Sequence, residues 1–180
     1  MLRIVCFGVS LLLASCSNTA QNASPPSPEE QLAHIDALQA SVLPDGSTGA
    51  PADTADAYPF IRAVQGFAEA HPRHPRAAPL LMDAAGLANG TQWSNKAFQL
   101  WGLVWRAHPD YARAPEAMFY QGFVADNQFG ADEMATAYYD RLIRTYPDTE
   151  YARQAAQLRA ITSGEAELPP VPEPPAATPN

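Results

Sequence analysis

The chain has 180 residues, 47% of them hydrophobic and 17% charged, which suits one packed domain or one short repeat array. Nineteen acidic residues stand against 11 basic ones, a net charge of −8, and this argues against a nucleic-acid binder, which needs a basic face to meet phosphates. Two cysteines are too few for a disulfide-dense scaffold.

The N-terminus reads as an address. Arg3 precedes an apolar run from Ile4 to Ala14, and a small-residue site follows, the three-part layout of a secretory signal peptide. Those eleven residues are too few to cross a bilayer, which takes about 20. Leu13-Ala14-Ser15-Cys16 resembles the lipobox of bacterial lipoproteins. The resemblance implies a signal peptide over 1–15, cleavage before Cys16, and lipidation of the Cys16 thiol as a membrane anchor. The bland alternative is an ordinary secretory signal with a chance cysteine. With Cys6 removed and Cys16 acylated, no thiol remains for a disulfide, a nucleophile or a metal. Ser17 after the cysteine points to the outer membrane, by the sorting rule of enteric-type lipoproteins.

Residues 16–28 are polar, small and proline-rich, as expected of a disordered tether. A helical domain is expected over 29–162. Ser27-Pro28-Glu29-Glu30 reads as a capping box that opens the first helix, with Leu32, Ile35, Leu38 and Val42 at helical spacing. Pro44-Asp45-Gly46 ends it. A second helix carries Ile61, Val64 and Phe67 and stops before Pro72, with Pro59 in its first turns or kinking it. A third starts near Pro79 and turns at Asn89-Gly90. The fourth holds Trp93, Ala97, Phe98, Trp101 and Val104 and ends at Pro109. The fifth opens at Pro115 and breaks at Gly130, and the sixth runs from Met134 to Pro147. Asp148 is positioned to cap a seventh, with Ala152, Ala155, Leu158 and Ile161. No strand alternation appears, so the expected class is all-α. Residues 163–180 hold six prolines and favour extended polyproline II, either as a solvated disordered tail or as a docking strand. Between Pro59 and Ile161 there are ten basic and ten acidic residues, so the surplus acids lie in the flanks.

Pro72, Pro109 and Pro147 stand 37 and 38 residues apart, each closing the second helix of a pair. Twelve residues before them are Phe60, Ala97 and Ala135; four further on come Val64, Trp101 and Tyr139, then Phe67, Val104 and Leu142. Gly86 and Gly122 recur in the preceding helices. This pattern resembles the tetratricopeptide repeat, and Met118 to Ala155 is particularly similar to small envelope lipoproteins with such repeats, including that of the β-barrel assembly machinery. Met82 and Met118 replace the family's helix-A tryptophan, and Phe60 replaces alanine, so the first unit reads as a repeat or a cap. The expected helices, about seven, would then stand in antiparallel pairs, and the resemblance implies a peptide-binding groove along the first helices.

Groove positions carried over by register are Asp83 and Leu87 in one unit, and Phe119, Phe123 and Asp126 in the next. The last three are the candidate partner-binding residues, with plain core packing as the competing reading of the two phenylalanines. The family's carboxylate clamp uses lysine and asparagine at such places, and this chain has neither there, so no such clamp is expected, and an apolar groove and plain core packing stay open as the two alternatives. Trp93 and Trp105 are candidate exposed anchors, and Trp101 a core residue. His71 and His74 flank Pro72, which prevents a helical metal pair; a helix C-terminal role suits them better. No phosphate loop, nucleophile elbow or zinc motif is present. No catalytic, metal or cofactor site is therefore expected. The expected function is a lipid-anchored, periplasm-facing scaffold for other envelope proteins, attached to the membrane through Cys16. The alternatives are a subunit of an outer-membrane protein assembly machine or a small cell-wall enzyme.

Overall fold

The computed structural model describes residues 25–42 and 54–166, without the side chains of 54–56. The signal, Cys16, most of the tether, the Pro44-Asp45-Gly46 turn and the tail beyond 166 lie outside the described residues. Among the described residues there are seven α-helices and no strand: α1 (Pro28–Val42), α2 (Thr54–Ala70), α3 (Ala77–Gly90), α4 (Ser94–Ala107), α5 (Ala114–Asn127), α6 (Asp132–Thr145) and α7 (Glu150–Thr162). Each helix packs on the next in sequence, and α5 also meets α7. None is long and apolar enough to cross a membrane.

Local chemistry explains the boundaries. At α1 the capping box forms: Glu30 N–H donates to Ser27 Oγ at 3.2 Å, and Ser27 N–H to Glu30 Oε2 at 2.8 Å. Helix α2 runs through Pro59 in its second turn, with one helical bond unmade. Pro79 and Pro115 fall inside the first turns of α3 and α5, where no N–H partner is needed. Two positions depart from expectation. Thr149, not Asp148, caps α7, its hydroxyl accepting from the Ala152 N–H at 3.2 Å. The chain after α3 takes its left-handed step at Gln92 rather than Gly90: Gln92 has φ 63°, and the C-cap Thr91 donates its Oγ1 hydroxyl to the carbonyls of Leu87 and Ala88 at the helix end. The matching turn after α5 uses Gly130 at φ 59°, where a left-handed backbone has no side-chain penalty.

The positions that the 12-residue spacing marks are buried. Phe60, Ala97 and Ala135 are fully buried, as are Val64, Tyr139, Val104 and Leu142, with Phe67 and Trp101 nearly so. The core divides into one cluster over α1 to α5 and a second over α5 to α7, with Phe98, Trp105 and Tyr120 packed against both. The two glycines of the pattern differ. A Cβ on Gly122 would stand 2.6 Å from Tyr139 Cε1, so the bare backbone is what admits the ring; a Cβ on Gly86 would meet nothing within 4 Å.

Buried Gln121 joins the two halves. It accepts from Trp105 Nε1 and donates to the Phe98 carbonyl at 2.7 Å, crossing from α5 to α4. Gly102 leaves the room: a Cβ there would be 2.7 Å from Gln121 Nε2. Hydrophobic periodicity does not register this polar contact.

Candidate functional site

The odd-numbered helices are stitched to one another along one side of the array. Arg76, just before α3, pairs with Asp36 on α1 at 2.6 Å, and Gln39 Nε2 donates to Asp83 at 3.2 Å. Gln128, at the end of α5, donates to Asn89 Oδ1 at 3.2 Å, and Thr162 on α7 donates to Asp126 Oδ2 at 2.9 Å. Arg113 grips Glu116 through two hydrogen bonds of 2.7 and 2.8 Å. The first four of these link neighbouring odd helices, and the Arg113–Glu116 pair lies at the start of α5.

The five groove positions separate here, with Asp83 half-buried and accepting from Gln39. Leu87 is fully buried, so it is core and not groove. Phe119 is only 8% exposed; its ring lies among Tyr120, Phe123, Tyr139 and Tyr151, so it fills the α5–α7 junction and is not a surface anchor. Phe123 is 38% exposed and stacks on Phe119 with centroids 6.3 Å apart. Asp126 is part-buried, accepting from Thr162 and, at 3.5 Å, from the Tyr139 hydroxyl. What reaches solvent is a seam formed by Phe123 with half-buried Tyr120 and Tyr151. The two tyrosines are invisible to the repeat register, which counts aromatics as packing.

Beside the seam, between α3 and α5, Gly86 opens a recess of about 200 Å³ with Met82, Trp101 and Tyr120 in its walls and Asn89, Arg113 and Glu116 at its rim. Tyr120 stacks on Trp101 with centroids 5.0 Å apart. A recess of this kind suits one side chain of a partner. At the other end of the array, a cleft of about 620 Å³ lies between α1 and α2 beside Ile35, His34, Tyr58 and Arg62. Tyr58, 55% exposed, leans edge-on against Trp93. Trp93 and Trp105 are both half-buried.

The titratable groups on this face are structural in their pairing. The Arg76 hydrogen bond lowers the Asp36 carboxyl below its ordinary value. Burial raises Asp83, against the opposing pull of Gln39, Arg113 and Arg76. A carboxyl raised on folding holds its proton more tightly in the folded state, so Asp83 adds stability as pH falls through its raised value and opposes folding at neutral pH. Asp83→Asn should therefore raise the melting temperature at pH 7, and that advantage should vanish below the ordinary value of 3.8. Melting curves across that range check it.

His71 and His74 both pack on Phe67, at 5.0 and 5.2 Å, and His71 lies 3.3 Å from Gln31 Nε2. They seal the end of α2. Among the described residues no group of three or more His, Cys, Asp and Glu is arranged to hold a metal ion. No protein-family model and no curated protein sequence matches this chain.

Proposed function

We propose that the chain is a lipid-anchored scaffold of the bacterial envelope, of the tetratricopeptide-like kind, facing the periplasm from the outer membrane and binding another envelope protein through its odd-helix face. The observation that carries the binding half is the exposed Phe123, stacked on buried Phe119 beside Asp126, which α7 bonds through Thr162. Rigid, half-exposed aromatics are the usual anchors of interfaces, each contributing about 2 kcal/mol or more when it fills a partner pocket. The adjacent recess at Gly86 adds a socket for the partner's own side chain. The anchoring half rests on Leu13-Ala14-Ser15-Cys16 behind an apolar signal core. A triply acylated cysteine buries enough methylenes, at roughly 0.8 kcal/mol each, to hold a protein on a membrane without a second signal.

Both halves are testable. Cys16→Ala should abolish labelling by a palmitate analogue and partitioning into detergent phase; undiminished labelling contradicts the anchor. Phe123→Ala should weaken capture of the partner from solubilised envelopes roughly 30-fold, the equivalent of about 2 kcal/mol, with melting nearly unchanged. A fall in stability of about 3–5 kcal/mol would make Phe123 a core residue and remove it from the interface.

A further inference from the structure

We propose that the acidic, proline-rich segment 167–180 of this chain docks on the even-helix face of its own domain, at the shallow cleft on α6 beside Tyr138 and Arg141 and against the neighbouring Trp105 and Arg106 of α4. The site is independent of the odd-helix interface. Its first mark is uncompensated charge. The Arg106 and Arg141 guanidiniums both lie against the Trp105 ring, 5.3 and 5.4 Å from its centre. Both are exposed, and among the described residues neither is in an ion pair, which is true also of Arg73 and Arg144; what sets Arg106 and Arg141 apart is that they share one ring. Arg144, one turn along α6, adds a third cation to this side. Asp140, next to Arg141, is held by Arg159. Like charges gathered on one ring are best relieved by an anionic ligand.

The second mark is aromatic. Phe98 meets Tyr138 edge-on at 5.4 Å, Trp105 is fixed by its N–H to Gln121, and a shallow cleft of about 200 Å³ opens beside Ala137, Tyr138 and Arg141. Aromatic-lined grooves are what polyproline II segments dock on. The third is position. Arg159 bridges Asp140 on α6 at 3.1 Å and Glu165 at 2.6 Å, so the chain leaves the helices alongside α6. The 14 residues 167–180 can extend about 43 Å as polyproline II, at ~3.1 Å each, which is ample for the cleft. They carry Glu167 and Glu173, five prolines among Pro169 to Pro175, and no basic residue. The two glutamates are six residues apart, two turns of a three-residue helix, so a polyproline II conformation would put them on one edge.

The test is backbone relaxation by NMR on the purified full chain in detergent micelles, read at the amides of Glu167, Leu168, Val171 and Glu173. In the wild type they should relax like the helical domain. Arg106→Glu with Arg141→Glu should release them to free-chain values, and adding Glu167→Arg with Glu173→Arg should restore the restraint. Glu167→Gln with Glu173→Gln, placed outside the helices, should release them without touching the fold. Free-chain relaxation in the wild type, or relaxation indifferent to both sets of variants, overturns the proposal. Restraint that appears only as protein concentration rises assigns the cleft to a second copy and also overturns it. So does binding to phosphatidylglycerol vesicles that is lost in the arginine variants while the segment's relaxation stays unmoved.

Discussion

Replacing Tyr139 with alanine should cost about 3–5 kcal/mol, the range of a large aromatic removed from a core. The ring is fully buried at the centre of the second core cluster, lies on the bare backbone of Gly122 and touches Phe119. Its loss would leave α5, α6 and α7 without the side chain they share. Tyr139→Phe should be mild by comparison, because the hydroxyl reaches Asp126 only at 3.5 Å and Thr162 keeps the carboxylate bonded at 2.9 Å. Burial, reinforced by Asp126, raises the phenol well above its ordinary value of 10.0, so it stays neutral across the pH range of any practical measurement. Chemical denaturation of the two variants side by side separates the ring from the hydroxyl.

The second large effect is a contrast between equivalent positions. Gly122→Ala would place a methyl 2.6 and 2.8 Å from two carbons of the Tyr139 ring. That ring is enclosed, so it has no room to withdraw, and overpacking of roughly 1–3 kcal/mol outweighs the gain of about 1 kcal/mol that alanine brings to a helix. Gly86→Ala meets nothing within 4 Å and should gain up to about 1 kcal/mol. The melting temperatures should move in opposite directions. Equal shifts would mean that the two helix pairs are closed in the same way.

The contrast marks how far the sequence reaches. Prolines 37 and 38 residues apart and small or aromatic residues at fixed distances before them specify the helix ends and the buried positions, because both follow from backbone geometry along one helix. Thus Phe60, Ala97 and Ala135 are all found in the core. What the register leaves open is rotation and depth. Phe119 and Phe123 are four residues apart on one helix and share a side, yet one is enclosed by Tyr151 from α7 and the other is half open. Only the seating of α7 on α5 decides that. Gly86 and Gly122 look equivalent for the same reason: whether an aromatic sits on a glycine depends on the neighbouring ring's rotamer. The Gln121 bridge and the paired arginines at Trp105 join residues far apart in sequence through polar groups, and a hydrophobic pattern carries no trace of either.

The scaffold reading is tested most directly by a photo-crosslinking amino acid placed at position 123 in living cells, with position 144 on the even-helix side as control. A discrete adduct with another envelope protein is expected from position 123, and none of that mass from position 144. No adduct at 123, or the same adduct from both positions, would contradict it.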